Sequence, residues 1–358
     1  MKYWRGYLVA AIVAACTWGL RRFSEAHTKL VDMIYPYVTR MMQGHLAQWS
    51  GGVGYSVWQA ILYCGIVLAL TLLVVMVIRH WNPIRLTGWL LTVVSVISLL
   101  NTLLYGLNVF AGPLAEDLRM ETVGYAYSAE ELEKAAIYYR DCANTLAAKA
   151  ERDGASLKQG DFDALANQAG NGFEHLVYEE GYSVFAGSLL PVKRMTGAGR
   201  GTTGKTVPLT GEATVNPDQP MTVLPYAMCR EMARRMCIAI DRDADFAAFL
   251  ACTANDSADF QYAGYVMAYR ACCQAMEKTG AGSALSKITA GENSQLKQDL
   301  QDHEKFFGRN QEVDGGFADL LVCWFVETQI LPTIEEEDVR FDPLDKNQVD
   351  LSGIANAR

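Results

Sequence analysis

Residues 229–237 read CREMARRMC, inside the longer run LPYAMCREMARRMCIAIDRDADFAAFLA. The frame is that of a zinc-hydrolase helix, HExxH. In that helix two histidines one turn apart bind the metal, and the glutamate between them activates water. Glu231 stands at the glutamate position, while Arg230 and Arg234 fill both histidine positions. Arginine stays protonated and has no acceptor lone pair, so it cannot ligate a cation. On a helix, Met228, Met232, Met236 and Ala239 form one apolar stripe, and Arg230, Arg234, Cys237 and Asp241 gather opposite. Alone, these residues describe an amphipathic helix with Glu231 as a surface partner of Arg234 or Arg235.

Other residues with suitable chemistry lead nowhere. Gly199 to Thr206 matches the phosphate-loop pattern GxxxxGK[ST], but that loop must open a helix, and Val207-Pro208-Leu209-Thr210-Gly211 cannot begin one. Nucleotide binding is not expected. His27, His45 and His80 lie in the apolar N-terminal part, and His303 has Phe307 where a second histidine ligand would stand. Cys237 with Asp241 makes at most two ligands, and zinc sites need at least three from the protein.

The elements that must position the helix begin with apolar segments. Val57 to Ile78 and Leu86 to Ala115 carry no charge, and each is long enough to cross a hydrocarbon layer of about 30 Å. Gly6 to Leu20 is shorter but has Lys2 and Arg5 before it and Arg21 and Arg22 after it. Three membrane helices are expected, at about 6–22, 57–78 and 86–110. Val13-Ala14-Ala15-Cys16 resembles a lipoprotein cleavage box, but the apolar stretch before it is at the lower limit for a signal peptide.

Charge divides at the same place. Residues 1–115 hold 8 Lys+Arg and 2 Asp+Glu, a net of +6; residues 116–358 hold 23 and 38, a net of −15. An acidic domain behind a basic anchor excludes the basic patch that nucleic-acid binding requires. The density of Lys2, Arg5, Arg79 and Arg85 favours an inside N-terminus and an extracytoplasmic domain in the cell membrane. Against that, seven of the nine cysteines lie in the acidic part, an odd number without a disulfide framework.

The domain divides as 1–115, membrane region; 116–331, soluble domain; and 332–358, an acidic tail containing Glu335 to Asp338. Helices are expected from the Ser128 capping box to about Gly154, across Phe162–Glu180 with interruptions at Gly170 and Gly172, and over 225–239, 241–253, 258–278, 293–307 and 317–330. A strand pair is expected between Lys205 and Asn216. The fold class is α+β, mainly helical.

The order of several segments resembles a bacterial family of three-helix membrane proteins of unknown function with a C-terminal gluzincin-like metallopeptidase domain. The segments are Gly106-Leu107-Asn108 after the last membrane helix, then Pro208-Leu209-Thr210-Gly211-Glu212-Ala213-Thr214-Val215-Asn216, the CREMARRMC helix, Asp241-Arg242-Asp243-Ala244-Asp245, and Tyr262-Ala263-Gly264-Tyr265. They span most of the chain. The resemblance implies a zincin-like fold in which the strand with Thr210, Gly211, Glu212 and Asn216 flanks a cleft. It places Arg230 and Arg234 at the ligand positions, Glu231 at the general-base position, Cys237 at a glycine position, and Asp241, with Asp243 and Asp245, in the third-ligand segment. Zinc is expected for the family and is expected lost here. The resulting expectation is a degenerate homologue, anchored in the lipid bilayer and binding a peptide or protein, in which an Arg–Asp241 bridge replaces the metal. The alternative is an active membrane metallopeptidase with a non-standard metal site.

Overall fold

A computed structural model describes residues 4–80, 82–122, 124–199, 201–308 and 315–332. The first region contains four helices: α1 (Arg5–Ala26), α2 (Thr28–Gly51), α3 (Val57–Ile78) and α4 (Pro83–Leu104). The chain breaks at Tyr105, and Gly106–Phe110 form a separate 3-10 turn rather than continuing the helix to 110. Two of the four are long and apolar enough to cross a membrane: α3, mean hydropathy 3.0, and α4, mean hydropathy 1.7. The expected third span is not among them. Arg21, Arg22 and Glu25 fall inside α1, so its charge-free stretch is shorter than the ~20 residues a span requires. Near its start α1 lies against α4, with Thr92 Oγ1 donating to Gly6 O at 2.8 Å and Tyr7 Oη 2.5 Å from Thr87 Oγ1. Residues 28–51, which lie between the first two expected membrane helices, form a helix of 24 residues.

The second region is mainly helical. It comprises α5 (Leu114–Asp117), α6 (Ala129–Ala147), α7 (Phe162–Gln168), α8 (Asn171–Tyr178), α9 (Leu224–Arg235), α10 (Asp241–Thr253), α11 (Ala258–Lys278), α12 (Gly282–Ala290), α13 (Ser294–Phe307) and α14 (Gly315–Phe325). A π-helical turn, Val326–Ile330, follows α14. The Ser128 capping box is formed: the Ser128 hydroxyl accepts from Glu131 N, and Glu131 accepts from Ser128 N. Helix α6 ends at Ala147 rather than Gly154, because Arg152–Asp153 (β1) turn back on Ser156–Leu157 (β2) as a small hairpin.

Three more strands make a mixed sheet: β3 (Lys193–Arg194), β4 (Gly204–Val207) and β5 (Glu212–Val215), in the order β3-β5-β4. β3 runs parallel to β5, and β4 pairs antiparallel with it. The expected strand pair is present with a third strand added, and β5 is central, hydrogen-bonded on both sides and buried along its length. Lys205 and Thr206 of the phosphate-loop pattern lie in β4, and no helix follows them before β5. Around the sheet, one apolar core joins Met228 and Met232 of α9, and Met236 at its C-cap, to Phe246 and Phe249 of α10, Phe260 of α11 and Tyr139 of α6. Nearly all of α9 is buried, so the helix sits inside the fold rather than on its surface. The acidic tail beyond 332 lies outside the described residues.

Candidate functional site

Helix α9 starts with Pro225 in its first turn, where the missing N–H costs nothing. It ends by a Schellman closure: Ile238 N bonds Ala233 O at 3.2 Å and Cys237 N bonds Arg234 O at 3.0 Å. Cys237 takes the left-handed position that this closure requires, φ 71°, where glycine is the usual residue. The turn reverses the chain so that α10 packs along α9. Cys237 is therefore not on the same helix face as Arg230 and Arg234. Its thiol interacts with Thr39 and Asn108, and burial pushes it up to about 11, against the pull of those two bonds and Arg40.

Asp241 and Asp245 are four residues apart on α10 and face α9 together. Arg230 Nε donates to Asp245 Oδ1, and its Nη2 lies 3.4 Å from Asp245 Oδ2. Arg234 Nη2 donates to Asp241 Oδ1, which Arg230 Nη2 also approaches at 3.6 Å. Tyr226 completes the Asp245 side, its hydroxyl donating to Asp245 Oδ1 at 3.0 Å. Burial is the largest influence on Arg230 and works against its charge, yet Asp245 outweighs it and leaves the guanidinium above its ordinary value. Asp243 points away from the cluster. It is buried on the other side of α10, where Oδ2 accepts from Leu114 N at 3.2 Å at the start of α5.

Glu231 is 1 % exposed and is not the surface residue that the helix pattern suggests. Thr206 Oγ1 in β4 lies 2.8 Å from Glu231 Oε2 and 2.9 Å from Glu231 O, so the strand holds the carboxyl from behind. Gly204 allows this approach, since a Cβ there would meet Glu231 Cγ at 2.7 Å. The other oxygen, Oε1, is buried with no hydrogen-bond partner among the described residues and lies 3.7 Å from Arg230 Nη1. Burial pushes the carboxyl above the usual carboxylate range, against the pull of Arg234, Arg230 and the Thr206 bond. The donor set at these positions does not fit zinc, because a guanidinium offers hydrogens and no lone pair. Among the described residues no group of three or more His, Cys, Asp or Glu could hold a metal ion.

The strand residues expected to flank a cleft, Thr210, Gly211, Glu212 and Asn216, lie in β5 and the turns beside it. Glu212 is buried, and its carboxylate accepts from Val57 N at 2.8 Å, Trp58 N at 2.7 Å and Ser56 Oγ at 3.2 Å. These groups are the open N-terminus of α3, where orphan N–H donors and the helix dipole favour an anion. Lys193 Nζ of β3 pairs with Glu212 Oε1 at 2.8 Å and also donates to Ser50 O and Tyr55 O. Thr210 Oγ1 adds a bond to Glu212 Oε2 at 3.1 Å. Gly211 adopts φ 66° and lets α2 approach, since a Cβ there would meet Ala47 N at 2.5 Å. Asn216 anchors the turn before β4 through Nδ2 to Thr202 O at 2.9 Å. Glu212, Thr210 and Gly211 thus fasten the apolar helices to the sheet and do not meet Glu231.

Tyr226 and Lys193 were not singled out by sequence, and Thr206 entered only as the end of the phosphate-loop pattern. For Thr206 and Lys193 no local signal exists, because their partners arrive from elements far along the chain. Tyr226 has one: it stands four residues before Arg230, on the same face of α9.

The architecture is that of a mainly helical protein with a small mixed sheet, two apolar helices, and a salt-bridged helix pair at its centre. The family model described as a protein of unknown function, DUF3810, matches residues 31–320, and the chain belongs to that family. No curated protein and no solved structure shows significant similarity to the chain.

Proposed function

We propose that the chain is a membrane-anchored, catalytically degenerate homologue of zinc metallopeptidases whose role is to bind a peptide or protein. The observation that carries this reading is the pairing of Arg230 with Asp245 and Arg234 with Asp241. Both ligand positions of the HExxH frame are filled by cations, each closed onto a carboxylate of the next helix. The ion pairs supply the link between α9 and α10 that a metal supplies in a zincin. Without a metal, nothing brings a water to pKa ~7, and the buried Glu231 has nothing to activate.

The spans in this reading are α3 and α4. Val57 is fixed to the sheet through Glu212, and Tyr105, just after α4, donates to Ile238 O at 3.4 Å. Both helices therefore join the domain at the same end, as a hairpin with Arg79 and His80 at the far end of α3 and Asn82 before α4. A peptide partner has an edge to add to at β4, since β5 is enclosed on both sides.

The test is a peptidase assay and elemental analysis of the purified wild type and of the Arg230→His, Arg234→His double variant. The wild type is expected to contain no stoichiometric zinc and to cleave nothing. Zinc uptake by the double variant supports descent from a zincin. Peptidase activity in the wild type, lost in Glu231→Gln, overturns the proposal in favour of an active enzyme with a non-standard site.

A further inference from the structure

Helix α2 has two faces. Val31, Thr39, Gln43, Ala47 and Ser50 are buried against the rest of the protein. Arg40 donates to Met236 O and Ser183 O, and Gln43 Nε2 donates to Pro208 O at 3.0 Å. The opposite face carries Leu30, Met33, Ile34, Tyr37, Val38 and Met41, between 43 % and 64 % exposed. Their spacing of three and four residues makes one apolar stripe along more than two turns. A stripe of this kind on a helix docked by its other face requires a partner.

The position of α2 identifies the partner. Tyr35 Oη donates to Thr102 O and Leu103 O, and Gln43 Nε2 to Leu104 O, so the middle of α2 crosses the last turn of α4. Its C-terminal end meets the start of α3 through Lys193, which holds Ser50 O and Tyr55 O. The helix therefore lies across the domain-side ends of both apolar helices, at the level where a spanning hairpin leaves the hydrocarbon. Its one acidic residue, Asp32, accepts from Gly112 N at 2.7 Å and stands on the side of the helix away from the apolar stripe.

We propose that α2 is an interfacial membrane helix, lying in the head-group layer with its Met33–Tyr37–Met41 face in the upper acyl chains and the domain seated on its other side. The partner is the phospholipid surface itself. An apolar helix face at this depth is buried by ~5–10 Å into the boundary between head groups and acyl chains. The inference rests on α3 and α4 spanning the bilayer, and it makes the anchor a platform that sets the height and tilt of the domain.

The test uses the wild-type chain in phosphatidylcholine vesicles containing a small fraction of lipid with a photoreactive diazirine. One preparation carries it near the carbonyl end of the acyl chain and another at the chain terminus. After irradiation, lipid adducts are mapped by mass spectrometry. Adducts on Met33, Tyr37 and Met41 with the shallow probe and not with the deep one, together with deep-probe adducts in α3, support the proposal. Labelled α3 and α4 with an unlabelled α2 overturn it, and assign the stripe to another protein or a second copy. Equal labelling of α2 by both probes also overturns it, by placing the helix within the bilayer core. Absence of adducts from α3 and α4 removes the membrane reading itself.

Discussion

Arg230 and Asp245 meet across the α9–α10 interface with two guanidinium nitrogens directed at two carboxylate oxygens, and Tyr226 donates to the same carboxylate. Arg234 and Asp241 repeat the contact one turn away, but the Asp241 side chain is 60 % exposed against 11 % for Asp245. Burial decides which pair matters. Removing Asp245 leaves a desolvated guanidinium, a loss of about 3–5 kcal/mol. Removing Asp241 breaks a largely solvated pair, worth about 1 kcal/mol or less. Asp245→Ala is expected to lower the melting temperature by about 10 °C and Asp241→Ala by about 3 °C or less. Thermal melts of both variants in detergent decide this, and the opposite order would locate the clamp at Asp241.

Glu231 gives a pH dependence of unusual sign. Its folded pKa is raised by burial, so the folded state holds the proton more tightly than the unfolded chain. Below both values the group contributes nothing; as pH rises past ~4.3 the unfolded chain ionises first, and folding loses stability. Glu231→Gln keeps an acceptor for Thr206 Oγ1 and removes that loss. The variant is expected to melt above the wild type at pH 7–8 and to converge with it near pH 4. A variant that melts lower at pH 8 would show that the ionised carboxylate is stabilising.

Glu212 works in the other direction. Burial is the largest influence and pushes its carboxyl up, but Lys193 and the Trp58 and Val57 N–H groups together pull it below its ordinary value. A depressed folded pKa adds stability above the unfolded value of ~4.3, lost as pH falls through the folded one. Acid destabilisation between about pH 5 and pH 3 should therefore shrink in Glu212→Gln, which is already weakened at pH 7. Limited proteolysis in the 52–56 segment, which leads into α3, should rise in the same variant. An unchanged acid limb would assign the anchoring to Lys193 and its carbonyl partners alone.

The parts legible in the sequence are those whose signals are local. Helices α10 and α11 run over Asp241–Thr253 and Ala258–Lys278, the expected spans, because apolar periodicity and end signals agree there. Helix α2 is absent from the expected helices because only charge-free spans are expected as helices in that region, and Lys29, Asp32 and Arg40 interrupt this one. Its stripe at Leu30, Met33, Ile34, Tyr37, Val38 and Met41 was nonetheless visible as a 3.6-residue period. The Arg–Asp pairing was half legible: arginines four apart on one helix and aspartates four apart on the next. Which aspartate is buried depends on how α10 turns against α9. The role of Glu212 was not legible, because its partners Ser56, Val57 and Trp58 lie about 155 residues earlier and are read as the start of an apolar span.

Cys237 carries a backbone effect. Its φ of 71° closes α9, and an L residue there loses ~1–2 kcal/mol relative to the right-handed region, which glycine does not. Comparing Cys237→Gly with Cys237→Ala removes the sulfur from both sides, so the difference sets relief of the positive φ against the one buried methyl and the extra unfolded-chain freedom of glycine. Glycine is expected to be the more stable of the two by about 1 kcal/mol, the reverse of the order found inside a helix. Cys237→Val should be worse than either, since a β-branched residue is a poor occupant of positive φ. Denaturant midpoints of the three variants measure this, and an alanine variant more stable than the glycine one would mean that the methyl and the unfolded-chain freedom outweigh the positive φ.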